Sequence, residues 1–266
     1  MILDWWALDL ELAAWRRAGR LPCLWWRDDD AVAATPALRR LLKIAGPATP
    51  LALAVIPEKL QPSLFPLVNA APSVVVLQHG VDHVPARADG PPSQFPADTA
   101  PEAVADRLTA AASTMVPLRR RLPVYVPPWN DLQANVAEAL PRAGFAGVSG
   151  FNGEGPSPDG LARIDVHLDL LRWSPRPRFR GEGRFLRRMT RLLRARRQAQ
   201  RWMDPIGLLT HHLDHDEAAW RFLEALLSRA SLPRGCWRSA AGLFGLEPRR
   251  APRPTTTLTT LAVAFA

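Results

Sequence analysis

Val74-Val75-Val76-Leu77-Gln78-His79-Gly80-Val81-Asp82-His83 is the stretch on which the reading of this chain turns. A short apolar run ends in a polar knot with two histidines four residues apart. Two other stretches have the same shape. Cys23-Leu24-Trp25-Trp26 leads through Arg27 into Asp28-Asp29-Asp30, and Gly207-Leu208-Leu209 leads into Thr210-His211-His212-Leu213-Asp214-His215. Short apolar runs of this kind read as buried strands. Five of the six histidines therefore lie in two knots at strand ends. Carboxylates and imidazoles gathered there suit metal-dependent hydrolysis; scattered histidines would say much less.

Working outward, short apolar runs alternate with helical patterns. Strands are expected at 21–27, 51–56, 74–77, 124–126, 146–149, 163–166 and 206–210. Helices are expected at 4–18, 35–44, 100–121, 132–143, 184–200 and 216–228. Strands alternating with helices imply parallel pairing through crossovers. About seven such units suggest a closed or nearly closed α/β barrel. The expected organisation is an amino-terminal helix over 1–20, a barrel over 21–230 and a poorly packed carboxyl-terminal extension over 231–266. The Pro- and Gly-rich segments 85–99 and 152–160 read as loops that could shape a substrate cleft.

Composition sets bounds. The 266 residues suit one large α/β domain, and a 47% hydrophobic fraction can fill its core. Net charge is +9, almost all of the basic side being arginine. That excess reads first as a solvated basic surface and only weakly as a sign of an acidic partner. Two cysteines make neither a disulfide framework nor zinc-site spacing. No signal-peptide pattern and no membrane span are legible, so a cytoplasmic protein is the expectation.

In a β/α barrel, reacting groups gather at the carboxyl ends of the strands, where all three polar knots fall. His79 and His83 have a metal-ligand spacing. Two histidines and a carboxylate leave coordination positions open for water and substrate. A metal so held lowers the pKa of its water and polarises an acyl oxygen, and a second carboxylate can take the water's proton.

The order Asp-Asp, His-x-x-x-His, Pro-Pro-Trp-Asn and a late Leu-Thr-His-His resembles the polysaccharide deacetylase family, also called the NodB-homology domain or carbohydrate esterase family 4. The resemblance spans roughly residues 21–230. It implies a distorted seven-unit (β/α) barrel. It also implies removal of acetyl groups from amino sugars with the help of a divalent metal, zinc being the expected ion. The family's first motif is a base aspartate followed by a metal-binding aspartate. Counting back from Thr35-Pro36, which resembles the family's next helix start, assigns Asp28 as base and Asp29 as ligand. Asp29-Asp30-Ala31 is the competing register. His79 and His83 match the family's two histidine ligands, with Gly80 in place of the usual Ser or Thr.

Val126-Pro127-Pro128-Trp129-Asn130 resembles the third motif, with Val126 where the family has an arginine that orients the base. Arg27, beside the aspartates, is a possible substitute, although strand alternation could point it away. Pro128 and Trp129 would line the groove, with the Trp129 N–H facing the oxyanion. Asp169 and Trp173 resemble the fourth motif, near the acyl pocket. Leu209-Thr210-His211 resembles the last, whose histidine protonates the leaving amine. An imidazole suits that role because this residue type titrates near neutral pH. His212 is the alternative, since adjacent strand residues face opposite sides.

The implied function is a metal-dependent hydrolase acting on an acylated amino sugar or a related non-peptide C–N substrate. The expected partner is a small amino-sugar compound or glycan. Two other readings stay open. One is a catalytically degenerate deacetylase fold that binds a glycan or partner, favoured by the missing arginine. The other is a nucleic-acid binder using the twelve arginines from Arg172 to Arg201.

Overall fold

The computed structural model of the protein describes residues 2–86, 92–233 and 235–246. In chain order the elements are α1 (Ile2–Arg17), β1 (Leu24–Ala31), α2 (Pro36–Ile44), β2 (Leu51–Val55), α3 (Leu64–Asn69), β3 (Val74–His79), α4 (Pro101–Thr114), β4 (Arg121–Val126) and α5 (Ala134–Arg142). There follow β5 (Gly147–Val148), β6 (Ala162–Arg163), β7 (Leu168–Asp169), β8 (Leu171–Arg172), β9 (Arg178–Phe179), α6 (Glu182–Gln198), β10 (Ile206–Thr210), α7 (Glu217–Leu227) and α8 (Ala240–Phe244).

Eight strands form one parallel sheet in the order β6-β5-β4-β3-β2-β1-β10-β7. Its two ends are joined by a single continuous segment. Ile164 and Val166 donate to the Val148 and Gly150 carbonyls on one side, and His167 and Leu170 donate to Gly207 and Leu209 on the other. The sheet thus curls back on itself as a distorted (β/α) barrel. β2, β3 and β10 are buried along their whole length, as parallel strands covered on both faces must be.

Side-chain parity organises the core. Leu24 and Trp26 of β1, Leu53 of β2, Val76 of β3 and Leu208 of β10 face the helical layer with Leu8, Trp15, Phe185 and Leu223. Trp25, Ala52, Ala54, Val75, Leu77, Val124, Val126 and Leu209 point the other way, into the barrel. Gly207 leaves room for this filling, since a Cβ there would lie 2.5 Å from the Trp25 indole nitrogen.

The helix starts follow local chemistry. Thr35 caps α2 by accepting from the Leu38 N–H at 3.1 Å, with Pro36 in the first turn. Asp216 caps α7 through the Ala219 N–H at 2.7 Å.

The sequence reading departs from the structure in four places. β1 starts later than expected and runs on to Ala31, so the aspartates belong to the strand rather than following it. α4 stops at Thr114, and the chain re-enters the sheet at Arg121. β7, the β8–β9 hairpin, α3 and α8 are too short to leave a periodic signal. Of the expected loose extension from 231, the described residues 231–233 and 235–246 are packed structure. Leu24 bonds to Cys236 and Arg238, and Ala240 and Phe244 of α8 join the inner core. The rest of that extension lies outside the described residues.

Candidate metal and catalytic site

The three polar knots meet at the carboxyl ends of β1, β3 and β10. Parity decides which residues enter. On β1, Trp25, Arg27 and Asp29 point inward, whereas Trp26 and Asp28 point to the helical layer. Asp28 is fully buried there. Its carboxylate accepts from Thr210 Oγ1 at 2.6 Å and the His212 N–H at 3.1 Å, and meets His212 Nδ1 at 2.5 Å. Asp28 therefore does not reach the cleft as the first register requires.

Asp29 does face inward, and Arg27, two residues before it, holds both of its oxygens at 2.9 Å. The fully buried guanidinium also donates to Asn130 Oδ1 at 2.8 Å and to the Ser149 carbonyl and hydroxyl at 2.7 Å. Every N–H of its fork is thus used. With Asp29 as the oriented carboxylate, alternation points Arg27 toward it rather than away. An arginine is in place although Val126 carries none.

The carboxylate that meets the histidines is that of Asp30, not Asp29. Asp30 Oδ1 lies 3.2 Å from His79 Nε2 and 3.5 Å from His83 Nε2. The three form the one group with metal-ligand spacing among the described residues. Asp30 would face outward in a regular strand. It turns inward because the β1–β2 register slips between Asp28 and Ala31 and Asp30 takes φ +69°. The competing register Asp29-Asp30-Ala31 has Asp30 in the ligand position, but the slip that turns it inward leaves no mark in the sequence. The His79 Nδ1–H donates to the Val126 carbonyl at 3.1 Å, which leaves its Nε2 lone pair facing Asp30.

The donor set fits a divalent cation. Asp30 Oδ1 is buried and accepts no hydrogen bond of proper geometry despite its two imidazole neighbours. Such an orphaned acceptor is costly without a partner. Burial would raise the Asp30 carboxyl pKa, yet the facing His79, His211 and His83 hold it well below the usual carboxylate range. Burial and the neighbouring His79 lower the pKa of His83, favouring its neutral, ligating form. His79, although burial disfavours its charge, is pushed up by the carboxylates of Asp30 and Asp29.

Around this group lies a cleft of 490 Å³. Trp129, Phe151, Glu154, Asp169, Trp173 and His211 complete its wall, with Arg180 at its edge. Trp129 packs at a tilt against His83, with ring centres 4.5 Å apart. Trp129 (φ +54°), Asn130, His83 and Asp30 account for four of the seven non-glycine positive-φ residues among the described residues. Strained backbone is concentrated here, as it is at functional sites. The Trp129 N–H donates to no carbonyl among the described residues. Pro128 is buried and packs on Gly80, where a Cβ would lie 2.4 Å from Pro128 Cγ. That contact, with φ +59°, explains glycine where the family has Ser or Thr.

On the opposite wall Asp169 accepts from the Leu171 N–H and from Trp173 Nε1, both at 2.8 Å. Burial raises the Asp169 pKa even though His211 opposes it. Trp173 packs edge-on against His211 at 4.5 Å. His211 is buried and faces the cleft, and its Nδ1 has no partner. His212, in the 3-10 turn that follows β10, is turned away onto Asp28. Glu154 lies in the segment 152–160 expected to shape the cleft, whereas sequence reading did not single out Phe151, Ser149 or Arg180.

No protein-family model and no curated protein matches this sequence. Solved structures do. A peptidoglycan N-acetylglucosamine deacetylase, in complex with 4-naphthalen-1-yl-N-oxidanyl-benzamide, is similar at a TM-score of 0.50 and 12% identity, over 86% of this chain and 90% of its own. A Mycobacterium smegmatis protein assigned as a polysaccharide deacetylase is similar at 0.51 and 17%, over 89% and 95%. At these identities the structural likeness shows a shared fold, and the fold alone, over most of the length. The chain shares the distorted (β/α) barrel of these two deacetylase structures.

Proposed function

We propose that the protein is a metal-dependent hydrolase that removes an acetyl or similar small acyl group from the nitrogen of an amino sugar or a related non-peptide C–N compound. The observation that carries this is the juxtaposition, in one cleft, of an Asp30–His79–His83 donor set, an arginine-clamped Asp29 and an inward His211. The first register is replaced: Asp30 takes the ligand role and Asp29 the base role.

A divalent cation held by Asp30, His79 and His83, with zinc suiting two imidazoles and a carboxylate, would polarise the acyl oxygen and acidify a water. The chain supplies everything else. Asp29 accepts the proton of the attacking water. Arg27 occupies one lone pair on each of its oxygens and leaves the others free. The Trp129 N–H faces the charge that develops on the acyl oxygen. His211 delivers a proton to the departing nitrogen. Trp129, Trp173 and Phe151 give flat apolar faces for a sugar ring, and a 490 Å³ cleft suits one or two sugar units rather than a long buried chain.

The fully used Arg27 fork weighs against the catalytically degenerate reading, since the role left vacant at Val126 is filled. The test is zinc- or cobalt-supplemented acetate release from N-acetylated sugars, with Asp29→Asn, Asp30→Asn and His211→Ala. Asp29→Asn and His211→Ala should each lower kcat by about 10²–10⁴-fold while metal content is retained. Asp30→Asn should lose metal. Unchanged rates in all three would refute the assignment.

A further inference from the structure

Leu3, Trp6 and Leu10 are exposed at 76%, 60% and 46%. Their spacing of three and four places them in one row on α1, continued by Ala13 and Arg17. The opposite side of α1 is the buried one, carrying Leu8, Leu12 and Trp15. α1 lies beside α6 and runs parallel to it: Arg187 pairs with Asp4 at 3.0 Å, and seven residues on Arg194 pairs with Glu11 at 3.5 Å. α6 buries Phe185, Leu186, Met189 and Leu193. Its outer row is therefore Arg184, Arg187, Arg191 and Arg194, all exposed. Arg184 and Arg191 have no acidic partner among the described residues. An apolar Trp/Leu row and an arginine row thus lie side by side on one face.

We propose that this face docks on an anionic lipid surface. Tryptophan and leucine enter the headgroup boundary while arginines meet lipid phosphates, the combination by which amphipathic helices lie on membranes without crossing them. No helix among the described residues is long and apolar enough to cross one. The charge beside the apolar row favours this occupant over a second copy of the chain, which would set arginine rows against each other. Glu182 at the start of α6, which accepts from Trp5 Nε1 at 2.7 Å, is two residues from the cleft-lining Arg180. The docking does not rest on the hydrolase reading.

The experiment is co-sedimentation of the full chain with vesicles of phosphatidylcholine alone and with roughly one-third phosphatidylglycerol. Binding is expected only to the anionic vesicles and should weaken as salt rises from about 0.05 to 0.5 M. Trp6→Ser with Leu10→Ser, and Arg184→Glu with Arg191→Glu, should each reduce binding by about tenfold or more. Both pairs are exposed, so thermal unfolding should not change. Should a variant misfold, the wild-type comparison of lipids and salt still decides. Three outcomes would overturn the proposal: no sedimentation at low salt, arginine-dependent binding to random duplex DNA without vesicle binding, or a dimer that Trp6→Ser converts to monomer without vesicle binding. Each is read without an activity assay and stands apart from any failure of acetate release.

Discussion

Removing Arg27 should expose how the base carboxylate is held. In Arg27→Met the hydrophobic stem is kept and the guanidinium is lost. Asp29, 1% exposed, is then left without either of its 2.9 Å partners. Breaking a buried ion pair from one side costs about 3–5 kcal/mol, because the remaining charge stays desolvated. For a chain of this size that is a fall in Tm of roughly 10 °C. Asp29→Asn should cost less, about 2 kcal/mol, since Arg27 keeps Asn130 and Ser149 as acceptors. In the double variant neither charge is stranded, so the losses should fall short of additivity by about 2–3 kcal/mol. Urea unfolding of the four proteins gives this coupling directly. The control is Arg27→Met with Asp28→Asn, which should be near-additive because Asp28 is held by Thr210 and His212. Additivity within about 0.5 kcal/mol for the Asp29 pair, or strong coupling for the Asp28 pair, would refute the clamp and the register with it.

Asp30→Asn should weaken zinc binding at least tenfold by calorimetry, whereas Asp28→Asn should leave the affinity nearly unchanged; the reverse order would move the ligand role back along β1. Gly80→Ser should destabilise the fold by about 1–3 kcal/mol in urea, because the new Cβ meets Pro128 Cγ at 2.4 Å and φ is +59°. His167 is held neutral: burial and the Arg196 charge push its pKa down to about 4 from 6.5. The unfolded chain then binds the extra proton first, so this contribution is complete above pH 6.5 and lost as pH falls toward 4. It amounts to about 2 kcal/mol after allowance for partial exposure. His167→Gln, which retains an acceptor for the Gly207 N–H at 3.2 Å, should flatten the pH dependence of stability in that window.

Much of this was legible in the chain. β3 and β10 could be read directly because parallel strands covered on both faces leave uninterrupted apolar runs. α2 could be read from Thr35-Pro36, since a capping hydroxyl followed by proline opens a helix by local chemistry alone. The nearness of His79, His83 and His211 followed from the barrel, which brings strand ends together whatever their separation in sequence. The short hairpin β8–β9 and helix α8 were hidden because two-residue strands and a five-residue helix carry no period. Their positions come from docking against the sheet.

The sequence by itself determined the residue types and their parity. Once the aspartates are taken as part of the strand, Arg27 and Asp29 share one face and Trp26 and Asp28 the other. Parity follows from the pleat of any extended chain and needs no partner. Only the tertiary structure decided which parity faces the cleft, because that depends on which side the helices cover. It also decided that Asp30 breaks the alternation. The bulge between β1 and β2 exists only once the two strands are paired, and it turns a third consecutive aspartate toward His79 and His83.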